Sequence, residues 1–157
     1  MSHTEMIIAS ILSNLFAILL LLLSWKKKNI ARLLYAILFV WAAVTNWKIS
    51  HNDPSVYMDY GKFALAPYKD FIYGSFSDHI TGFVSIIAIA QLLIGLCLLA
   101  KGLLVKLASI GGIIFLLCIA PLGLGAAFPF SLIAASGLYI LFQYDFKSDI
   151  LRGRWLA

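Results

Sequence analysis

The sequence predicts an all-α membrane protein, a single transmembrane domain over residues 1–157 built from five spanning helices. Three observations predict it. Of the 157 residues, 62% are hydrophobic and only 12% are charged, about half the ~25% charged share of a soluble domain. Mean hydropathy is +0.97. Second, the apolar residues fall in charge-free runs that suit a hydrocarbon core of ~30 Å, which takes about 20 helical residues to cross. Third, lysines and arginines gather at alternate ends of those runs, the pattern of the positive-inside rule. The same placement accounts for the net charge of +5. Basicity here points to a membrane surface and not to nucleic acid.

Met6 to Trp25 carries no charge and makes the first span, near 6–25. A cleaved signal peptide opens on a basic stretch and ends at small residues. This run comes after Met-Ser-His-Thr-Glu and leads into Trp25 and Lys26-Lys27-Lys28, so a retained helix is expected. The second span lies near 30–47 and the third near 80–100. Leu107 to Tyr144 then contains no charged residue. As one helix it measures about 57 Å at 1.5 Å per residue, nearly twice the core thickness, so it must fold back. Its strong break is Pro121-Leu-Gly-Leu-Gly-Ala-Ala-Phe-Pro129, where proline removes a donor and glycine loosens the chain. Spans four and five are therefore placed near 107–123 and 129–144.

With five spans, nine basic residues share one side: Lys26, Lys27, Lys28, Arg32, Lys101, Lys106, Lys147, Arg152 and Arg154. The other side holds Lys48, Lys62 and Lys69, with Glu5, Asp53, Asp59, Asp70 and Asp78. The bias predicts a multi-pass protein of the cytoplasmic (inner) membrane, N-terminus outside and C-terminus in the cytoplasm.

Residues 49–79 form the one long outer segment. It mixes single charges with Tyr57, Tyr60, Phe63, Tyr68, Phe71, Tyr73 and Phe76. Asp53-Pro54 reads as a helix start, Asp as N-cap and Pro at the first position. Tyr57, Tyr60 and Ala64 come next, near helical spacing, and Pro67 is expected to end that piece. The expectation is a short amphipathic helix on the membrane, a second piece over the bundle, and Ser77 capping span three. Such aromatics make either an interfacial belt or the rim of a ligand pocket.

Candidate ligand or partner residues are Asn46, Trp47 and Lys48 at the end of span two, with Tyr57 and Tyr60. Lys48 suits first a snorkelling role at the interface; the alternatives are an anionic headgroup, a quinone oxygen or Asp53. Gln91 and Asn14 lie within spans, where amides bond neighbouring helices for ~1 kcal/mol or less. No catalytic residue is identified. His51 and His79 flank the outer segment without metal-ligand or haem-ligand spacing, so no metal or cofactor is assigned. Cys97 and Cys118 lack a Cys-x-x-Cys pattern, and their depths differ by ~12 Å at 1.5 Å per residue, too far for a disulfide. They are expected to be buried apolar fillers. Glycines such as Gly82, Gly95, Gly111, Gly112 and Gly137 suit close helix approach in lipid.

Ala31 to Tyr144 resembles the DoxX and DoxX-like membrane proteins. The features that carry this are a span opened by Arg32 and ending in Asn46, then Pro54-x-x-Tyr57. Leu93-Ile-Gly95-Leu-Cys-Leu-Leu-Ala-Lys-Gly102 is next, then Pro121-Leu-Gly-Leu-Gly125, Phe128-Pro-Phe and Gly137-Leu-Tyr-Ile-Leu. The resemblance implies a four-helix DoxX-like bundle, to which span one is an addition. That family commonly has an acid where this chain has Gln91, so proton chemistry is not carried over to that helix. The founding member is named as a subunit associated with thiosulfate:quinone oxidation. The resemblance thus implies a small, non-catalytic membrane subunit or scaffold of a larger redox-linked complex, partnered by the bilayer and other membrane subunits. The alternative is a quinone- or lipid-handling membrane enzyme with its site at the outer face. A small transporter is disfavoured, since no internal repeat or paired intramembrane charge is present.

Overall fold

A chain in lipid has no water to satisfy its peptide groups, so it must bond them within itself. The computed structural model, which describes residues 3–150, does this with six α-helices: α1 (His3–Lys26), α2 (Lys28–Asn52), α3 (Ala66–Phe71), α4 (Ile80–Leu99), α5 (Leu103–Ile119) and α6 (Phe130–Phe142). Short 3-10 and π turns join them, and there is no strand among the described residues. Four helical stretches are long and apolar enough to cross a membrane: Ile7–Lys26, Lys28–Asn52, Ala66–Leu99 and Leu103–Ala126. Helix α6 is apolar but shorter, at 13 residues. The flanks of the bundle carry exposed Leu12, Trp41, Ile86, Leu103 and Ile114, a surface suited to a bilayer and not to water.

The long helices close into a ring. Helix α1 packs on α2 and α6, α2 on α4, α4 on α5, and α5 on α6. Without a hydrophobic force between helices in lipid, close approach depends on small residues. At the α2–α4 contact a Cβ on Gly95 would lie 2.7 Å from Val40 Cγ2 and 3.0 Å from the Ala36 carbonyl. On α5, a Cβ on Gly112 would meet Leu138 of α6 at 2.7 Å. Gly137 leaves room for the Tyr35 hydroxyl, which donates to the Ala134 carbonyl at 2.7 Å. Leu20, Tyr35, Phe39, Leu98, Leu116 and Leu138 fill the core within this frame.

At the basic end, α1 and α2 are separated by Lys27 alone. Arg32 is buried there. Its Nη2 donates to the Ser148 carbonyl at 3.2 Å, and its guanidinium lies 4.3 Å from the centre of the Phe146 ring, a cation–π contact. The chain after α6 therefore turns back across this end. Gly102 N donates to Phe146 O at 2.8 Å and Ile150 N to Leu99 O at 3.0 Å, while Lys106 pairs with Asp145 at 2.6 Å. Arg152 and Arg154, counted with the basic tail, lie outside the described residues.

The opposite end departs from several sequence expectations. Helix α2 does not stop near position 47; it runs to Asn52 because no breaker precedes Asp53-Pro54. Asn46 thus sits about 9 Å inside the helix end, at 1.5 Å per residue. Asp53 does not cap with its side chain; its carboxylate instead accepts from Ser55 Oγ at 2.6 Å. The next element is a 3-10 helix, Pro54–Lys62. Pro67 begins the piece after it instead of ending this one, sitting in the first turn of α3, where its missing N–H costs nothing. Ser77 does not cap α4: its hydroxyl points back and donates to Gly74 O at 2.6 Å. Residues 120–126 form another 3-10 turn that carries Gly123 at φ 62, where a Cβ would meet the Phe63 carbonyl at 2.6 Å. Leu65 N donates to Pro121 O at 2.9 Å, so the 54–76 segment and the α5–α6 turn form one cap.

Overpacking a tight helix contact costs about 1–3 kcal/mol. Gly95→Ala is expected to destabilise by that order. Gly82→Ala, where a Cβ meets nothing within 4 Å, is expected to be neutral. Thermal unfolding of both variants in detergent measures the difference; equal midpoints would show that α2 and α4 are not so closely packed.

Candidate functional site

The cap sits over a cleft of about 880 Å³, within the range of ligand sites. Its origin lies in the helix ring. The one-residue link at Lys27 holds α1 and α2 together at the basic end. Away from it α1 runs along α6 and α2 runs along α4, and Asn14 ties α1 to the turn before α6 by donating to Ala127 O at 3.0 Å. The space between receives Leu12 and Phe16 from α1, Ile37, Trp41 and Ala42 from α2, and Phe115 and Cys118 from α5. Trp41 and Ile37 also lie 64% and 55% exposed on the flank, so the cleft opens sideways between α1 and α2.

Its roof comes from the 54–76 segment: Tyr57, Tyr60, Tyr68, Phe71 and Phe76. In a 3-10 helix residues three apart eclipse one another. Tyr57 and Tyr60 therefore face the same way, with rings stacked at 6.0 Å. Phe71, Phe76 and Phe83 pack pairwise at 5.7 Å and hold the far side of the roof against α4. A Cβ on Gly125 would meet the Tyr60 ring at 2.9 Å, so glycine there lets the α5–α6 turn close on this tyrosine.

One polar chain crosses the apolar lining. The Tyr57 hydroxyl donates to Asn46 Oδ1 at 2.9 Å and to the Asn46 carbonyl at 3.2 Å. Asn46 Nδ2 donates to Gln91 Oε1 at 2.8 Å. The chain links roof, α2 and α4, and all three side chains line the cleft. Among the described residues the lining contains no Asp, Glu, Lys, Arg or His. Burial pushes the Tyr57 phenol up to about 12, with the Tyr60 phenol adding to the shift. Burial raises Tyr60 as well.

The candidates from sequence divide in two. Asn46, Tyr57, Tyr60 and Gln91 come together at the cleft. Trp47 and Lys48, on the faces of α2 turned away from it, are exposed. Trp47 stacks on His51 at 4.6 Å, and His79 is exposed. Asn14 bonds Ser10 O at 2.8 Å as well as Ala127 O. Among the described residues no group of three His, Cys, Asp or Glu side chains is placed to hold a metal. The cysteines are free, and Cys97 is half-buried. Cys118 is not the buried filler expected: it is exposed on α5 and lines the cleft. Sequence reasoning missed Trp41 and Ala42 as lining residues; only the aromatics of the outer segment, Tyr68 among them, hinted at a roof. No family model, no curated protein and no solved structure matches this chain.

A phenol whose pKa is raised by folding adds stability that is fully present below its unfolded value near 10 and is lost as pH rises through its folded value. For Tyr57 that window runs from about 10 to about 12. Absorbance titration should therefore show late-titrating phenols above pH 11, one fewer in Tyr57→Phe, and thermal stability falling across the same range. All tyrosines titrating together near pH 10 would contradict a buried Tyr57.

Proposed function

We propose that the chain is a five-span protein of the cytoplasmic membrane that binds a lipophilic molecule drawn sideways from the bilayer. The single observation that carries this reading is the cleft, with its lateral mouth between α1 and α2, hydrocarbon walls and one polar chain at Asn46, Gln91 and Tyr57. A molecule with a long apolar body and a small polar end matches that lining; a quinone or another neutral lipid has this build. Hydroxyls, amides, a single thiol at Cys118 and hydrocarbon, with no acid or base beside them among the described residues, suit holding a molecule more than transforming it.

The nine-to-three distribution of basic residues supports the basic end in the cytoplasm and the cap outside. Helix α6, about 20 Å long at 1.5 Å per residue, completes the ring between α1 and α5 and counts as the fifth span. In this orientation the roof segment lies at the outer interface, where tyrosines are favoured. Resemblance to DoxX-like proteins supports a second role as a subunit of a redox-linked assembly. The exposed Trp47–His51 stack beside Lys48 is the surface such a partner would touch.

Topology is tested by placing cysteines at position 3 and within 147–154. An impermeant maleimide should label the first from outside and not the second; outside labelling of the tail would rule out five spans. Binding is tested by gentle extraction and mass spectrometry of co-purified lipids. One species should be held in near one-to-one ratio by the wild type. Ala42→Trp, which fills the cleft, should reduce it about tenfold or more, the equivalent of ~1.4 kcal/mol. An identical lipid profile in both proteins, with equal helix content, would reject the binding role.

A further inference from the structure

The cleft's hydrogen-bonding capacity is directional, and this bears on what it holds. The Tyr57 hydroxyl carries one hydrogen, directed at the oxygens of Asn46. Asn46 then presents its amide nitrogen to Gln91 Oε1. With its oxygen engaged, Gln91 is left with an amide nitrogen that finds no acceptor among the described residues. Gln91 is only 3% exposed and lines the cleft, so a molecule in the cleft can supply that acceptor. The Tyr60 and Tyr68 hydroxyls, which line the same space, make no hydrogen bond among the described residues.

Resting on the binding role above, we infer that the bound molecule ends in an uncharged hydrogen-bond acceptor, a carbonyl oxygen on an apolar chain, that takes its hydrogen bond from the Gln91 amide. Charge decides against the other head groups. A carboxylate or phosphate in this lining has no lysine, arginine or histidine beside it, and an ammonium has no carboxylate; an unpaired ion in an apolar site is strongly disfavoured. A carbonyl brings the acceptor that Gln91 lacks and adds no donor that itself needs a partner.

The test uses the full chain in detergent with three probes of equal chain length: a long-chain ketone labelled with ¹³C at its carbonyl, the corresponding carboxylic acid at pH 8, and the alkane. Retention through gel filtration gives binding, and infrared spectroscopy of the labelled carbonyl reports its hydrogen bond. The ketone should be retained with its carbonyl band below its position in empty micelles, and the carboxylate held at least about tenfold more weakly. Gln91→Leu should return the band to the micelle position and weaken retention by up to about tenfold, the scale of one hydrogen bond. A band that returns to the micelle position in Tyr60→Phe and not in Gln91→Leu would make the Tyr60 hydroxyl the donor and overturn the assignment to Gln91. Retention of the ketone with an unshifted band in the wild type would overturn the head-group assignment while leaving binding intact, and this needs no variant to fold. Retention of the carboxylate as tightly as the ketone would overturn it too. If neither ketone nor alkane is retained, the binding role itself fails.

Discussion

The close contact of α2 with α4 sets the geometry of everything around it. It rests on Gly95, which lets the backbones meet at Ala36 and Val40, and further along on the bond between Asn46 and Gln91. In lipid, shape and a few polar pairs do what the hydrophobic effect does in water. A single interhelical bond contributes ~1 kcal/mol or less, so it cannot hold two helices alone. Its effect is to fix rotation: Asn46 must face α4, and Trp47 and Lys48 are thereby turned outward.

The cleft is a consequence of that constraint. Helix α2 is committed to α4, and α1 is committed to α6 by direct packing and to the turn before α6 by the Asn14 bond to Ala127. A one-residue link joins α1 and α2 at the basic end, and beyond it residues of both helices line the cleft. The cap segment fills only the top of the gap. It is pinned on one side by Tyr57 to Asn46 and on the other by Leu65 to Pro121. The two ends of the bundle are thus closed by different means. At one, the tail folds over a buried Arg32. At the other, aromatics roof an apolar space that stays open to the side.

Much of the architecture was legible because its cause is simple. Charge-free length marks a helix, and Pro121 to Pro129 marked the reversal between α5 and α6. Gln91 could be read as an interhelical amide because an amide in a span needs a partner, although its partner could not be named. Other features were illegible for physical reasons. Asp53-Pro54 signals a helix start but does not distinguish an α from a 3-10 helix, and that difference is what aligns Tyr57 with Tyr60. Pro67 is a breaker inside a helix and a starter at its first turn; which role applies depends on the bond from Leu65 to Pro121, across more than fifty residues. Cys118 resembles any apolar filler in sequence, and only the assembled bundle shows it exposed and lining the cleft. No local pattern encodes a gap between helices.

The proposed binding site is the space between α1 and α2, reached from the lipid, with its polar end at Gln91. An experimental structure of the protein in native-lipid nanodiscs tests this most directly. A bound molecule should appear as elongated density entering between Leu12 and Trp41, with its end within hydrogen-bond distance of the Gln91 amide. Helix α1 closed against α2 along its whole length, with lipid density only on the outer flank, would contradict it.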